Sequence, residues 1–358
     1  MALRKTKRLL TEPMKSFIVI YHNSIENTIK FNLESHMIKS NPLILIILIG
    51  SIVYLSCSQD ASQIEWKQVN SGTDAHLYGV HFVDAKLGWA VGTDGVVLSS
   101  KDGGKTWNGS DTKSITKDTF FTQVSFTTPN NGWLVGIGKV YYTGSGGNSW
   151  NVQHQLRVAG AKSPGILDLH FVNKTEGWAV GGIDPKGIST ILHTQNGGGK
   201  WEKVMNPAEK HLWGVYFVNS DHGWVVGEEG VILHTKDGGK QWELQNSNAE
   251  QPLFAIHFAD LMYGWVVGSN GLILHTADGG QTWERQQNPI KLSLRDIAFK
   301  NEKEGWAVGE EGSILHTTDG GTTWNQYASP TINNLQDIFL FKNSSWIVGE
   351  KGTILRSH

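Results

Sequence analysis

Two tryptophan motifs alternate along the chain and account for 14 of its 15 tryptophans, leaving only Trp213 outside them. The first motif, Gly-Trp-x-Val-Gly with serine as its first residue in the last copy, is centred on Trp89, Trp133, Trp178, Trp224, Trp265, Trp306 and Trp346. The second motif ends in tryptophan after a Gly-Gly turn, at Trp107, Trp150, Trp201, Trp242, Trp283 and Trp324. Copies from Trp201 onward are 41 residues apart, and the same step back from Trp107 reaches Trp66. Such a fixed period indicates a chain built from repeated structural units.

Each repeat has the sequence pattern of four short strands. In the fourth unit the apolar segment 212–218 leads through a turn to Trp-Val-Val-Gly, and a Glu-Glu-Gly turn then leads to Val-Ile-Leu-His-Thr. An Asp-Gly-Gly turn precedes the last strand, Gln-Trp-Glu-Leu-Gln. Short β-rich segments separated by Gly, Asn and Asp are typical of hairpins. Four strands in a period near 40 residues predict one β-propeller blade, and seven copies predict seven blades.

The two ends of the repeat region complement each other. The last unit stops at His358 without a fourth strand, whereas an extra strand carrying Trp66 precedes the first unit. Because an open sheet edge is a liability, we expect the amino-terminal strand to complete the last blade. The predicted fold class is therefore all-β: residues 64–358 form a monomeric, seven-bladed propeller of four-stranded blades, with the ring closed by its N-terminal strand.

The second motif resembles the Asp-box, or bacterial neuraminidase repeat, of the form Ser/Thr-x-Asp-Gly-Gly-x-Thr-Trp. We interpret it as structural, because a turn aspartate can accept hydrogen bonds from nearby backbone N–H groups. The glycines supply unusual backbone angles, and the tryptophan buries its ring against a neighbouring sheet. The residues predicted to have this structural role are Asp102, Trp107, Asp237, Trp242, Asp278, Trp283, Asp319 and Trp324.

Four histidines repeat with the same 41-residue spacing, at His193, His234, His275 and His316. Together with the Asp-box aspartates they have the composition of a metal or catalytic site. Equivalent positions in different blades lie around a ring, however, whereas all ligands of one ion must lie within about 2.6 Å of it. The sequence therefore predicts no metal, no cofactor and no catalytic residue among them.

The amino end carries a targeting signal. An apolar run ends at Ser56 and is shorter than the about 20 residues of a membrane span; Cys57, the only cysteine, follows it. The segment from Val53 to Cys57 resembles a bacterial lipobox, with Tyr54 where leucine is usual. We expect 1–36 to be a non-native extension, 37–56 a lipoprotein signal peptide and 57–63 a tether lipidated at Cys57. The alternatives are a free thiol in an exported chain and an uncleaved signal anchor.

The predicted targeting signal indicates a cellular location, and the charge of the chain bears on whether it binds nucleic acid. A chain lipidated at Cys57 would be a membrane-anchored lipoprotein facing the periplasm or the cell exterior. Charged residues make up 18% of the sequence, and the formal net charge is -2. Because nucleic-acid binding favours strongly basic surfaces, the sequence gives no electrostatic case for a nucleic-acid partner.

Binding residues are expected where the blades differ. The innermost strands carry a mixed column that should lie near the channel mouth: Tyr78, Thr122, Leu167, Trp213, Phe254, Arg295 and Gln336. Blade three has two insertions, and Arg157 lies in the first. Channel mouths and loops of rigid scaffolds often bind ligands. We therefore predict binding at Tyr78, Trp213, Phe254, Arg295 and Gln336, with Arg157 and Arg285 as further candidates; the alternatives are blade packing and neutral drift of the loops.

The seven units, with Gly-Trp-Ala-Val-Gly and His-Thr-x-Asp-Gly-Gly-x-Thr-Trp, resemble the photosystem II stability/assembly factor family over residues 64–358. The resemblance implies a non-enzymatic scaffold on the outer, lumenal or periplasmic side of a membrane, which holds a membrane protein or complex during assembly. Members of that family bind newly made reaction-centre protein partly through an arginine patch. This propeller departs from the family there, since its arginines are Arg157, Arg285, Arg295 and Arg356, spread over several blades.

Two other functions remain as alternatives from the sequence. One is an extracytoplasmic glycan-binding module, for which an aromatic channel mouth would be suitable. The other is a sialidase-like glycoside hydrolase, because those propellers also carry Asp-boxes. Such an enzyme needs three convergent arginines for the substrate carboxylate, a tyrosine nucleophile and an acidic partner. The scarcity of arginine argues against it.

Overall fold

The computed structural model describes residues 64–110, 119–156, 165–183 and 187–357. The proposed extension, signal peptide, tether and Cys57 lie outside the described residues, as does Arg157. Within these ranges no helix has the length and apolar character needed to cross a bilayer.

The described strands form seven four-stranded antiparallel sheets, each of which is one blade. Blade 1 comprises β2 (Leu77–Phe82), β3 (Gly88–Gly92), β4 (Val97–Ser100) and β5 (Asn108–Gly109). Blade 2 comprises β6 (Gln123–Phe126), β7 (Gly132–Gly136), β8 (Lys139–Thr143) and β9 (Asn151–Gln155). Blade 3 comprises β10 (Ile166–Phe171), β11 (Gly177–Ile183), β12 (Ser189–Thr194) and β13 (Glu202–Lys203). Blade 4 comprises β14 (Leu212–Phe217), β15 (Gly223–Gly227), β16 (Ile232–Thr235) and β17 (Glu243–Gln245).

The remaining blades follow the same order. Blade 5 comprises β18 (Leu253–Phe258), β19 (Gly264–Gly268), β20 (Ile273–Thr276) and β21 (Glu284–Arg285). Blade 6 comprises β22 (Leu294–Phe299), β23 (Gly305–Gly309), β24 (Ile314–Thr317) and β25 (Asn325–Gln326). Blade 7 comprises β26 (Leu335–Phe341), β27 (Ser344–Gly349), β28 (Ile354–Ser357) and β1 (Lys67–Val69). Short 3-10 turns link the second and third strands at Thr93–Gly95, Glu228–Gly230, Ser269–Gly271 and Glu310–Gly312.

The predicted ring closure is confirmed. Strand β1 pairs antiparallel with β28, with Gln68 opposite Leu355. The first strand of the described chain therefore supplies the outermost strand of the last blade, so that blade 7 has four strands like the other six.

The blades are held together by stacked aromatic rings at the seams between them. In six seams a Gly-Trp-x-Val-Gly tryptophan stacks face to face on a phenylalanine of the next blade, with centroids 3.5–3.8 Å apart. The Asp-box tryptophan of that next blade meets the same phenylalanine edge-on at 5.8–6.0 Å. Each of these six seams thus contains a buried Trp-Phe-Trp triad, worth about 0.5–1.5 kcal/mol for each aromatic pair beyond the area that it buries.

The seam between blades 6 and 7 is the exception. Blade 7 has Leu340 at the phenylalanine position, opposite Ser345 of β27, and it carries no Asp-box turn. Trp66 fills the gap, because its ring packs edge-on against Trp306 at 5.5 Å and is 4% exposed. Trp66 therefore joins the closing strand to the neighbouring blade.

We expect Trp66→Ala to lower the free energy of unfolding by about 3 kcal/mol, the scale of deleting a buried aromatic ring. Denaturant unfolding measures this change, and light scattering should detect aggregation through the exposed edge of β28. Gln68→Ala is the control, since Gln68 is exposed in β1, two residues after Trp66. Equal stabilities of the two variants would contradict the closing role of Trp66.

Candidate functional site

The mouth of the central channel is built by β-bulges in the innermost strands. In six blades the pairing of the first and second strands shifts by one residue. The residues skipped by the regular pairing are Tyr78, Leu167, Trp213, Phe254, Arg295 and Gln336. A bulge leaves one residue unpaired and redirects its side chain, and bulges are frequent beside functional sites. The column expected from the sequence therefore coincides with the bulges.

These side chains meet around one cavity of about 240 Å³ at the channel mouth. All seven members of the predicted column line it, and Phe120 lines it as well. Arg285 does not take part, because it lies in β21, the exposed outermost strand of blade 5. The structure thus brings together five of the predicted binding residues and separates Arg285 from them.

The mouth has an apolar side and a polar side. Leu167, Trp213 and Phe254 come from consecutive blades and line the cavity, and the last two rings meet edge-on at 6.0 Å. Arg295, Gln336 and Tyr78 come from the next three blades around the ring. A ligand with an apolar body and hydrogen-bonding groups on one side would match this division.

Arg295 is the basic side chain that the described residues bring to the mouth. Its Nη2 atom lies 2.7 Å from a carboxylate oxygen of Glu310, and its guanidinium carbon lies 4.7 Å above the centre of the Phe254 ring. These contacts fix the guanidinium at the rim and pair its charge. Burial and the Glu350 charge raise the pKa of Tyr78, so its hydroxyl stays protonated at neutral pH.

Three carboxyl groups form a belt beneath the mouth. They line both the mouth cavity and a second cavity deeper in the channel. Each accepts a hydrogen bond from a first-strand N–H group of the next blade around the ring. Asp168 accepts from Val215 at 2.8 Å, Asp296 from Ile338 at 2.8 Å, and Asp337 from Val80 at 2.6 Å. The belt therefore ties neighbouring blades together inside the channel.

Enclosure in the channel favours the protonated form of these carboxyl groups. Burial raises the pKa of Asp168 to about 7. Burial and the adjacent carboxyl of Asp337 raise the pKa of Asp296 well above its usual value, and burial raises the pKa of Asp337. Two carboxyl groups that hydrogen-bond to one another favour one shared proton over two negative charges.

The opposite end of the channel is lined by imidazoles. His81, His170 and His257 line a second cavity of about 310 Å³, together with Tyr216 and Phe339. Burial lowers the pKa of His81 and His170 to about 4 and that of His257 to about 3. The three rings are therefore neutral at physiological pH.

The Asp-box aspartates accept hydrogen bonds within their own turns. Asp102 accepts hydrogen bonds from Ser100 Oγ at 2.9 Å and from Thr106 N and Oγ1 at 3.0 and 2.7 Å. Hydrogen bonds to the Asp102 carboxylate, chiefly the two from Thr106, lower its pKa to about 2. The Thr235–Asp237, Thr276–Asp278 and Thr317–Asp319 pairs repeat this contact at 2.8–2.9 Å. The tryptophans of these four boxes pack in the seams and are 4–7% exposed.

The repeated histidines belong to the same seams. His193, His234, His275 and His316 each pack on the Gly-Trp-x-Val-Gly tryptophan of their own blade, at centroid distances of 3.9–5.0 Å. Within the described ranges no three His, Cys, Asp or Glu side chains are grouped closely enough to hold a metal ion. The column is therefore a packing position.

Sequence comparison matches the family described as "Photosynthesis system II assembly factor YCF48" over residues 58–161, 110–212, 199–292 and 285–358. These overlapping matches cover the whole propeller. The chain belongs to this family.

Curated relatives of the YCF48 family member match over shorter stretches. The photosystem II stability/assembly factor HCF136 of Arabidopsis thaliana is 32% identical over 102 residues, which is 28% of this chain and 24% of the relative. HCF136 of Cyanidioschyzon merolae is 38% identical over 60 residues, 16% of this chain and 14% of the relative. The matches thus span about a quarter or less of these relatives.

Solved structures match the whole propeller. A structure of YCF48 bound to D1 peptide is 25% identical with a TM-score of 0.68, covering 82% of this chain and 96% of that one. An ancestral GH74 enzyme also matches, with a TM-score of 0.65 at 14% identity, covering 83% of this chain and 46% of that one. The second likeness shows the fold alone.

Sequence reasoning missed Phe120 and the carboxyl belt. A regular strand alternates its faces, so a polar residue next to the channel column would point away from the channel. The bulge turns two consecutive residues toward the channel, which is why Asp168 lines it beside Leu167. Aspartates within otherwise apolar first strands were the available signal in this YCF48 family member.

The raised pKa of Asp168 predicts a pH-dependent contribution to stability. Its folded-state pKa of about 7 exceeds the usual value of 3.8, so its contribution is complete below about pH 4 and is lost as pH rises through 7. We expect the stability advantage of the wild type over Asp168→Asn to shrink from pH 5 to pH 8 in urea unfolding. The paired measurement cancels the opposite trend from His81, His170 and His257. A constant difference across this range would contradict the prediction.

Proposed function

We propose that this YCF48 family member is a non-enzymatic, protein-binding scaffold that assists the assembly or stability of a membrane protein complex. The observation that carries the proposal is the channel mouth, where six bulges and Thr122 direct seven different side chains into one cavity. The solved YCF48 structure with D1 peptide supports a polypeptide ligand of membrane-protein origin.

The chemistry of the mouth suits a segment of polypeptide. An apolar or aromatic side chain would pack against Leu167, Trp213 and Phe254. Backbone or side-chain amides would hydrogen-bond to Tyr78, Gln336 and the guanidinium of Arg295. Arg295 is already paired with Glu310 at 2.7 Å. An anionic ligand group would therefore gain less binding free energy there than beside an unpaired arginine.

The enzyme and glycan alternatives receive less support. A sialidase-like site needs three arginines that converge on one carboxylate, whereas the described residues bring one arginine, Arg295, to the mouth. The carboxyl groups of the belt are occupied in bonds between blades. An aromatic mouth could also hold a sugar, so glycan binding is a competing outcome of the experiment below.

The double substitution Trp213→Ala and Phe254→Ala should abolish capture of the partner from solubilised host membranes, because it removes two apolar walls of the mouth. Mass spectrometry of the captured proteins identifies the partner, which we expect to be a membrane-protein subunit. Val152→Ala is the control, since Val152 is 50% exposed on an outermost strand. Capture that survives the double substitution, glycan-array binding without a protein partner, or sialoside turnover would each contradict the proposal.

We further propose that the propeller is exported and anchored to the membrane through a lipid on Cys57. Such an anchor would keep a small scaffold beside membrane-embedded partners. Cys57→Ala should move the protein from the membrane to the soluble fraction, because it removes the only thiol in the sequence. Mass spectrometry of the wild-type amino terminus should show a diacylated Cys57. An intact residue 1 in the mature protein would contradict the proposal.

A further inference from the structure

The outer end of the seam between blades 4 and 5, at the periphery of the propeller, carries exposed apolar side chains. Leu244 lies in β17, and Leu261 and Met262 lie in the turn between β18 and β19. The three residues are 63%, 41% and 48% exposed, and together they line a groove of about 550 Å³. Eight large apolar residues are strongly exposed in the described part of the chain, so this groove holds three of the eight.

The other seams of the same ring are internal controls. The residues equivalent to Leu261 and Met262 include a polar or charged residue in every other blade: Ala85-Lys86, Pro129-Asn130, Lys174-Thr175, Ser220-Asp221, Glu302-Lys303 and Lys342-Asn343. The residues equivalent to Leu244 are Gln68, Gly109, Val152, Lys203, Arg285 and Gln326. Val152 is the other apolar residue of that set, and the turn of the following blade is Lys174-Thr175. The fold therefore does not require an apolar groove at this position.

The groove lies beside an open sheet edge. Strand β17 pairs with β16 on one side, with Leu244 opposite Leu233, and it is the last strand of its sheet. No strand of the described chain pairs with its outer side. Outward N–H and C=O groups on such an edge can pair with an added strand, while neighbouring pockets accept alternate side chains of that strand.

Four titratable side chains around the groove have partners or are neutral. Lys236 Nζ lies 3.8 Å from a Glu243 carboxylate oxygen, and Asp278 accepts hydrogen bonds from Thr276 and Thr282. Burial lowers the pKa of His234 to about 4. A charged side chain entering the groove would lose hydration without gaining a free counter-charge. The groove is therefore complementary in charge to an uncharged segment.

We propose that this groove binds an extended, uncharged segment of a partner polypeptide, which pairs with β17 as a fifth strand of blade 4. Its alternate apolar side chains pack between Leu244, Leu261 and Met262, and its backbone bonds to the outer edge of Glu243–Gln245. This surface lies at the outer rim, whereas the proposed binding mouth opens on the central channel. The chain thus has a second contact for a partner, independent of the first.

The test uses the full chain and a fluorescent, acetylated and amidated peptide of alternating valine and threonine, six residues long. Fluorescence anisotropy should show saturable binding to the wild type, and Leu244→Lys should weaken it about tenfold, the effect of losing one apolar anchor. Val152→Lys is the matched control, since Val152 occupies the equivalent strand position. It should leave the affinity unchanged, and both variants should keep the wild-type unfolding midpoint.

Two further measurements separate strand addition from other modes of binding. A peptide with proline at its fourth position lacks one backbone N–H and should bind at least about tenfold more weakly if pairing is required. Hydrogen exchange should slow at Glu243–Gln245 when the valine–threonine peptide binds. The Trp213→Ala and Phe254→Ala variant should retain this binding, so that failure of the mouth proposal and failure of this proposal are distinguishable.

Several results would overturn the proposal. One is no saturable binding of the peptide; another is equal binding of the proline peptide; a third is equal weakening by Leu244→Lys and Val152→Lys. A wild-type dimer that Leu244→Lys converts to a monomer would assign the groove to a second copy of this chain. Binding to uncharged phosphatidylcholine vesicles that depends on Leu244, without peptide binding, would assign it to a lipid surface.

Discussion

The stacked tryptophan at each seam is the interaction on which the rest of this propeller depends. In six of the seven seams its ring lies flat on a phenylalanine of the next blade, and in five of these its indole N–H donates to an Asp-box glycine carbonyl of that blade at 3.0–3.3 Å. One side chain thus fixes both the distance and the rotation between blades. This explains why the two motifs occur together: the second motif supplies the acceptor for the donor in the first. The Asp-box aspartate, replaced by Ser145 in blade 2 and Asn196 in blade 3, holds the turn so that this carbonyl faces the neighbouring blade.

The motifs that build the ring recur in most blades, so they do not determine which ligand the ring binds. The Asp-boxes and the repeated histidines have the composition of catalytic or metal sites, yet each is distributed over separate blades and used in packing. Specificity therefore has to come from positions where the copies differ. The channel mouth has seven different residues at one structural position, and the blade 4–5 groove is apolar at positions where every other seam includes a polar or charged residue. Both features stand out because the remaining copies show what the fold alone requires.

The period, the blade count, the closure by the first strand and the mouth column followed from sequence, because regular spacing converts directly into geometry in a ring. The bulges did not follow, since a one-residue shift in pairing leaves no trace in a four-strand pattern. That shift decides whether Asp168, Asp296 and Asp337 face the channel or the sheet. Arg285 shows the converse limit: it is near Arg295 in sequence, but one lies on an outer strand and the other on an inner strand. The apolar groove also escaped notice, because Leu244 and Met262 are 18 residues apart and meet only across a seam.

The channel itself is stabilised by groups with opposite pH dependence. The carboxyl groups of the belt have raised pKa values and favour folding when protonated, whereas the buried histidines have lowered pKa values and favour folding when neutral. Acid therefore destabilises the ring through the histidines, and alkali destabilises it through the belt. The hydrogen bonds of the belt join first strands of neighbouring blades directly beneath the mouth, and these strands carry Tyr78, Leu167, Trp213, Arg295 and Gln336. The stability of the ring and the placement of the mouth residues are thus linked through the same short segments of β2, β10, β14, β22 and β26.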